Sequence, residues 1–322
     1  MSPAGRPRAG CRAGAVVLCL LGCAVGPPAA AAAPLPGASA AARQDAAQEL
    51  SRQLVGGPSE HCVRAGDTLL AIAARYGEPL ASLLRDNGLD ARSRLRPGQC
   101  LRIDNPQVVV PGPADGVVIN LPQRMLFLRR DGRLEAAWPV AVGRADWPTP
   151  LGRFRVTRMR RDPVWHVPAS IQQEMRREGK PVLHEVPSGP DNPLGHAWIG
   201  LDAVGYGIHG TTAPSSIHSF RTHGCVRLDD DHATQLFQSV HPGVPVHIVY
   251  RTWLLAELPG GQLWLQANPD PYHRSSPRDE LRDLRALAAS QGLQARIDWP
   301  LAQSLLEAPT GLAARIDHSG SS

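Results

Sequence analysis

Residues 208–228 read "IHGTTAPSSIHSFRTHGCVRL", which places Cys225 among His209, His218 and His223, with no other cysteine nearer than Cys100. Nucleophilic cysteine chemistry needs a thiolate, a base within reach and donors aimed at a developing oxyanion. Gly224, immediately before the cysteine, permits a sharp turn that points the N–H groups of Gly224 and Cys225 at one spot. His223 lies two residues from the thiol, whereas His209, sixteen residues upstream, is free to approach from across a site. Arg227 adds positive charge that favours thiolate and can hold a substrate carboxylate. Spacing alone leaves other readings open. A lone cysteine is commonly a small buried hydrophobe, and Cys225 can also pair with Cys23. Zinc is disfavoured, because H-x-C is not a usual ligand spacing and no fourth ligand is evident. Neither metal nor cofactor is expected.

An unpaired thiol matters most outside the cytoplasm, and the N-terminus points there. Residues 1–12 carry Arg6, Arg8 and Arg12 with no acidic residue, and "AGAVVLCLLG" (13–22) follows. That run is too short to span a bilayer but suits the apolar part of a secretory signal. Two endings stand side by side. Leu20-Leu21-Gly22-Cys23 resembles a lipobox that would leave Cys23 lipidated, while "PPAAAAAP" suits ordinary cleavage near Ala33. Either places the mature protein in the periplasm, as a soluble or a lipid-anchored form. The net charge of +5 comes almost wholly from arginine, with Lys180 the single lysine. No basic run interleaved with aromatics occurs, so nucleic acid is not an expected partner.

The remaining chain, about 290 residues, is long enough for two domains with real cores. Residues 34–58, rich in Ala, Gly, Pro, Ser and Gln, read as a flexible linker. From His61 the texture changes. Leu69, Ile72, Ala73 and Tyr76 follow a helical period stopped at Gly77, and Leu80, Leu83 and Leu84 form a second short helix stopped at Asn87-Gly88. Strands at Cys62–Arg64 and Cys100–Ile103 flank them, giving a βααβ unit over 59–105. After a hinge, "DNPQVVVPGPADG", the period alternates. Strands are expected over 117–121, 125–130, 134–142, 149–158, 198–201 and 246–250, with Asp131-Gly132 as a hairpin turn and helices near 169–178 and 229–239. This is a mainly β domain over 113–251. Residues 252–322 hold a hairpin, "WLLAELPGGQLWLQA", and a helix with Leu281, Leu284, Leu287 and Ala288 inward. Packing on the β domain is their expected role.

The segments "RAGDTLLAIAARYG", "LLRDN" and "LRPGQCLRI" resemble a LysM domain from end to end. LysM modules bind N-acetylglucosamine-containing glycans, and the resemblance implicates Gly66, Asp67, Thr68 and Leu69 on one side of a groove and Leu95, Arg96 and Pro97 on the other. Asp67 or Thr68 also serves as a helix N-cap. So small a unit has a thin core. Cys62 and Cys100 lie in its two terminal strands, and a disulfide between them closes a separation of 38 residues. On the loop-entropy account it stabilises by roughly 3–4 kcal/mol. The module is expected to act as an anchor that leaves catalysis on soluble substrate intact.

"IHGTTAPSSIHSFRTHGCVRL" resembles the L,D-transpeptidase signature, an HG followed after a spacer by [S/T]HGC, a hydrophobe and Arg. "VVINLPQRMLFL", "TPLGRF", "PSGPDNPLG" and "GVPVHIVY" extend the likeness across 113–251, and with LysM the chain is similar to the ErfK/YbiS/YcfS/YnhG branch. The resemblance implies a β-sandwich catalytic domain with short helices. It makes Cys225 the nucleophile and His209 the general base, with the Gly210 carbonyl orienting that base. It gives His223 and Gly224 to the oxyanion region and leaves Arg227 for substrate. His218 has no counterpart and reads as a solvated loop histidine, while His184 and His196 flank the groove. The implied substrate is the stem tetrapeptide of peptidoglycan. Cys225 attacks the amide between the L-centre of diaminopimelate and D-Ala, and an amine takes the acyl group from the thioester. The acceptor is a second stem or a wall-anchored lipoprotein, and water gives the hydrolytic alternative. A periplasmic thiol reductase is a further candidate partner for Cys225.

Overall fold

The structure is a computed structural model that describes residues 49–318. The readings made on the signal region and on 34–48 lie outside it. Strand β1 (Leu54–Val55) and β2 (Pro58–Cys62) lead to helices α1 (Leu69–Tyr76) and α2 (Leu80–Asp86), then β3 (Cys100–Asp104) and β4 (Gln107–Val108). Thr68 caps α1 by accepting from the Ala71 N–H at 3.1 Å, and Gly77, in the left-handed region, ends it. Val63, Ile72, Ala73, Leu83, Leu101 and Ile103 form the core that the helical period anticipates. Strands β2 and β3 are antiparallel with Cys62 opposite Cys100, and the two are disulfide-bonded. The first strand ends at Cys62 rather than beginning there.

Two connections expected to be loose are built in. Within the stretch read as a linker, β1 pairs with β4, and the Ser51 hydroxyl donates to the Val109 carbonyl at 2.7 Å. The hinge is a core segment, with Val108, Val109 and Val110 buried against Leu254 and Ala256. Composition hid this, because a few apolar residues among Ala, Gly and Pro suffice to anchor a segment when a ready surface faces them.

The central domain comprises β5 (Gly116–Asn120), β6 (Met125–Arg130), β7 (Arg133–Gly143), β8 (Gly152–Arg161), β9 (Trp165–His166), α3 (Ala169–Arg177), β10 (Glu185–Val186), β11 (Ala197–Leu201), β12 (Gly207–His209), β13 (Phe220–Thr222), β14 (Val226–Leu228), α4 (Asp230–Ser239) and β15 (Pro245–Val249). Asp131 and Gly132 both take positive φ, as a two-residue hairpin turn requires. The sheet runs β13-β7-β14-β12-β11-β8-β15-β5-β6, and β6 also pairs with β7. Long β7 closes the sheet on itself: its first part lies along β6, and Val140 and Ala141 lie along β14.

The tail adds β16 (Trp253–Glu257), β17 (Leu263–Ala267), α5 (Pro277–Ser290), α6 (Trp299–Glu307) and β18 (Ala313–Arg315). Its own core joins Trp253, Leu255 and Leu265 to Leu284, Ile297 and Leu306. Buried amides bind it to the rest: Gln266 Nε2 and Gln123 Nε2 both donate to Gln107 Oε1, at 2.6 and 3.1 Å.

The βααβ unit also docks. Helix α1 lies against the 3-10 turn Pro214–Ser216 of the histidine-rich segment, and a Cβ at Gly77 would stand 3.0 Å from the Pro139 ring. The unit read as an anchor is thus packed on the catalytic domain. Excising residues 59–105 is expected to speed amide hydrogen exchange across 213–219 by at least tenfold. Unchanged exchange there would mean that the unit rests on the turn without supporting it.

Candidate active site

Strand register assembles the site. Across adjacent strands, Arg160 is opposite Trp198, Trp198 opposite His209, His209 opposite Arg227, and Arg227 opposite Ala141. One residue away, Met159, Ile199, Ile208 and Val226 form the matching row, of which Ile199, Ile208 and Val226 are fully buried in the main core. Side chains alternate along a strand, so burying that row turns its neighbours to the other face. There they line a cavity of about 880 Å³ with Trp147, Arg158, Arg160, Trp165, Trp198, Tyr206, His209, His223, Cys225 and Arg227 among its walls. The sequence brings Cys225, His209 and Arg227 together here, as expected. It gave no warning of Trp147, Trp165 and Trp198, because an aromatic in a loop or strand has no local pattern that marks it as cavity lining.

His209 is buried, and its Nδ1 donates to the Gly210 carbonyl at 2.7 Å. A carbonyl only accepts, so Nδ1 carries the proton and Nε2 keeps its lone pair. Burial, helped by the Arg227 charge, drives the ring's pKa down to about 3. Trp198 stacks on the ring with centroids 5.9 Å apart. It crosses β12 at Gly207, where a Cβ would come within 2.6 Å of the indole.

Cys225 is half-buried, and its thiol donates to the Gly205 carbonyl at 3.7 Å. Burial pushes its pKa up, against the Gly207 backbone N–H and Arg227, which favour the thiolate. Arg227 favours the thiolate as expected, but burial outweighs it, and the resting pair is thiol and neutral imidazole. Arg227 is itself largely enclosed, and its Nη1 donates to Ser216 Oγ at 3.0 Å. Gly224 adopts φ 103, and a side chain there would strike Tyr206. Its N–H donates to Thr222 Oγ1 at 3.2 Å, while that hydroxyl donates to the Cys225 carbonyl at 2.6 Å. At rest, therefore, the Gly224 amide expected in the oxyanion hole already has a partner.

The His223 ring is engaged by α3 and by Trp147. Nε2 donates to Glu174 Oε2 of α3 at 2.6 Å, and Trp147 packs on the ring at 4.2 Å. Arg144 also donates to Glu174, at 2.7 Å, and holds that carboxyl low. His184 and His196 do not line the cavity; His196 pairs with Asp230.

His218 corrects the sequence reading. It is buried rather than solvated, at φ 56, with Nε2 lacking any partner and its pKa forced well down by burial. In the LysM unit, Asp67 is likewise occupied: Oδ2 accepts from the Arg64 N–H and from His61 Nε2, each at 2.8 Å. Leu69 and Leu95 are both partly buried against the core of the unit.

Two pH effects follow. The rate of iodoacetamide alkylation at Cys225 is expected to climb with pH through and beyond the ordinary cysteine range; a plateau already reached at neutrality would mean a standing thiolate. For stability, the unfolded histidines take up protons below about 6.5, whereas folded His209 does so only near 3. The unfolded state therefore binds more protons in that window, and each such buried histidine costs about 1.4 kcal/mol per pH unit as pH falls. His218→Asn, which tolerates the backbone angle, should flatten the fall of the urea midpoint between pH 6.5 and 4 while keeping turnover. An unchanged slope would count against a buried neutral His218.

Comparison with known proteins converges on the same chemistry. The description "L,D-transpeptidase catalytic domain" matches residues 114–248, and "LysM domain" matches 61–104. Probable L,D-transpeptidase YcfS of Escherichia coli K12 is 29% identical over 269 residues, 81% of this chain and 84% of its own. Probable L,D-transpeptidase ErfK/SrfK of Salmonella typhimurium LT2 is 32% identical over 228 residues, 69% of this chain and 73% of its own. Among solved structures, L,D-transpeptidase 3 from Mycobacterium tuberculosis overlays with a TM-score of 0.34 at 16% identity, covering 62% of this chain and 94% of that one. With its cysteine and histidine set on one wall of a cleft and a LysM unit docked beside it, the chain belongs to the L,D-transpeptidase family of cysteine-dependent transferases.

Proposed function

We propose that Cys225 carries the acyl group of a peptidoglycan stem peptide, with His209 moving the protons. What supports this most directly is the hydrogen bond from His209 Nδ1 to the Gly210 carbonyl, which leaves Nε2 able to accept. Sγ attacks the carbonyl carbon at the L-centre of diaminopimelate, and its proton passes to Nε2. The C–N bond breaks, D-Ala leaves as the amine that takes this proton, and the acyl group remains on sulfur. An acceptor amine then attacks the thioester, gives its proton to Nε2, and sulfur regains it as the C–S bond breaks. Amide is exchanged for amide, so no nucleotide is consumed. Arg227 suits the negative charge that develops on the oxyanion in a partly enclosed cleft, where such terms are large, while the imidazolium, which Arg227 opposes, is favoured by the Gly210 carbonyl. Arg158 and Arg160, which line the same cavity as Arg227 from across the sheet, suit the carboxylates of a stem peptide.

The acceptor is a second stem, giving a 3→3 cross-link, or the amine of a wall-anchored lipoprotein. Water as acceptor makes the enzyme an L,D-carboxypeptidase. The arginine-led apolar N-terminus supports export to the periplasm, either as a soluble protein or anchored through Cys23. There a thiol reductase would keep Cys225 reduced. The glycan strand is assigned to Gly66, Asp67, Thr68 and Leu69 facing Leu95, Arg96 and Pro97, with the Asp67 side chain shaping the turn from within.

Cys225→Ala should abolish turnover, and His209→Ala should lower it by about 10²–10⁴-fold. With a tetrapeptide stem and no acceptor amine, rapid quench should trap an adduct of the stem minus D-Ala on the Cys225 peptide. Full activity without such an adduct, or with Cys225 blocked, would overturn the assignment.

A further inference from the structure

We infer that the C-terminal extension braces a wall of the reaction chamber from behind, and that Tyr272 is a positioning residue that keeps water from the acyl-enzyme. The inference rests on Cys225 as the acyl carrier. The loop Gly143–Thr149 joins β7 to β8 beside the thiol, and its Trp147 is part of the cavity wall. Trp147 covers His223 at 4.2 Å. The Arg144 N–H donates to the Thr222 carbonyl at 3.1 Å, and the Pro148 carbonyl lies 3.4 Å from where a Cβ on Gly224 would stand. The loop therefore bears on the Thr222-His223-Gly224 turn at three successive residues.

The loop is held from behind by the extension. The Tyr272 hydroxyl donates to the Gly143 carbonyl at 2.7 Å and accepts from the Thr149 N–H at 3.4 Å. One hydroxyl thus clamps both ends of the turn. From within, Thr149 Oγ1 accepts from the Gly143 N–H at 2.9 Å. A Cβ at Gly143 would approach the Trp147 carbonyl to 2.3 Å, so the closure leaves no slack. Tyr272 is itself fixed. It stacks on Tyr250 with centroids 5.1 Å apart, its N–H donates to the Tyr250 hydroxyl at 3.0 Å, and that hydroxyl donates to Asp270. The extension thus reaches the catalytic turn through two residues, Tyr272 and Trp147.

A thioester partitions between amine and water. In hydrolysis the water oxygen bonds the acyl carbon as the C–S bond breaks, one water proton reaches sulfur through His209, and the product is a free acid instead of an amide. An aromatic wall over the site limits water near that carbon, and a loop released from its clamp no longer holds the wall. The partition ratio is therefore the readout, because loss of folded enzyme lowers transfer and hydrolysis together and leaves their ratio unchanged.

The experiment compares full-length wild type with Tyr272→Phe on a tetrapeptide donor and a fixed concentration of acceptor amine. Transferred and hydrolysed products are resolved by mass, and thermal midpoints are measured alongside. Tyr272→Phe should raise hydrolysis over transfer by at least fivefold. Ser276→Ala, which removes the α5 cap inside the extension, should lower the thermal midpoint and leave the ratio at the wild-type value. Thr149→Val loosens the same turn from the other side and should raise the ratio as Tyr272→Phe does, which keeps the test decisive if the tyrosine variant does not fold. A wild-type ratio in the folded loop variants would make the extension a structural brace only and overturn the inference. Absence of any acyl adduct in the wild type would sink the thioester assignment first, and this inference with it.

Discussion

The parallel pairing of β12 with β14 is the constraint on which the active site depends. Ile208 opposes Val226, both fully buried, so His209 and Arg227 must face the other way. A one-residue slip of either strand would bring its polar residue, His209 or Arg227, into the core and push an aliphatic side chain into the cavity, at a cost of about 1.5–3 kcal/mol. Hydrophobic burial thereby sets the placement of the catalytic groups, without asking the catalytic groups to stabilise anything. Gly207 serves the same register from the cavity side. It lets Trp198 lie across the strand and meet His209, which fixes the plane of the imidazole.

Enclosure has an electrostatic consequence. Burial raises the Cys225 pKa and lowers that of His209, so the uncharged pair is the favoured one and charge separates only during attack. Groups already in place meet that charge: the Gly207 N–H and Arg227 favour the thiolate, and the Gly210 carbonyl favours the imidazolium that Arg227 opposes. Arg227 is in turn held by Ser216, on the turn that α1 of the LysM unit covers. Preorganised groups of this kind need no rearrangement as the barrier is crossed. A neutral resting thiol also resists oxidation better than a thiolate would.

Much of this was legible in the sequence. Helices with a clear period and a glycine stop, such as α1 ending at Gly77, fall where expected, as do the long strands and the Asp131-Gly132 turn. The Cys62–Cys100 pairing followed from two strands that had to meet. The misses share a cause: their structure comes from distant partners. β12, β13 and β14 are three residues each, too short for a period, and exist because neighbouring strands complete them. Val108–Val110 looked like a hinge because the surface that buries it comes from residues about 145 positions later. His218 looked solvated because polar residues surround it in sequence, whereas the fold buries it near Arg124. Burial against a distant partner leaves no local trace.

The docked LysM unit changes how wall binding serves catalysis. For a module on a free linker, the benefit is an effective concentration set by linker length, and the catalytic cleft samples every orientation within reach. Here β1–β4 pairing and the contact of α1 with residues 214–216 remove that freedom. Peptidoglycan bound by the unit is then held by a module packed on the catalytic domain, not by one hung from it on a free linker. The gain moves from local concentration to orientation, which is the larger resource when reacting atoms must be aligned. The cost is the reach that a free linker gives. Packing of α1 against residues 214–216 thus ties the unit to the turn that carries Ser216 and, through it, Arg227.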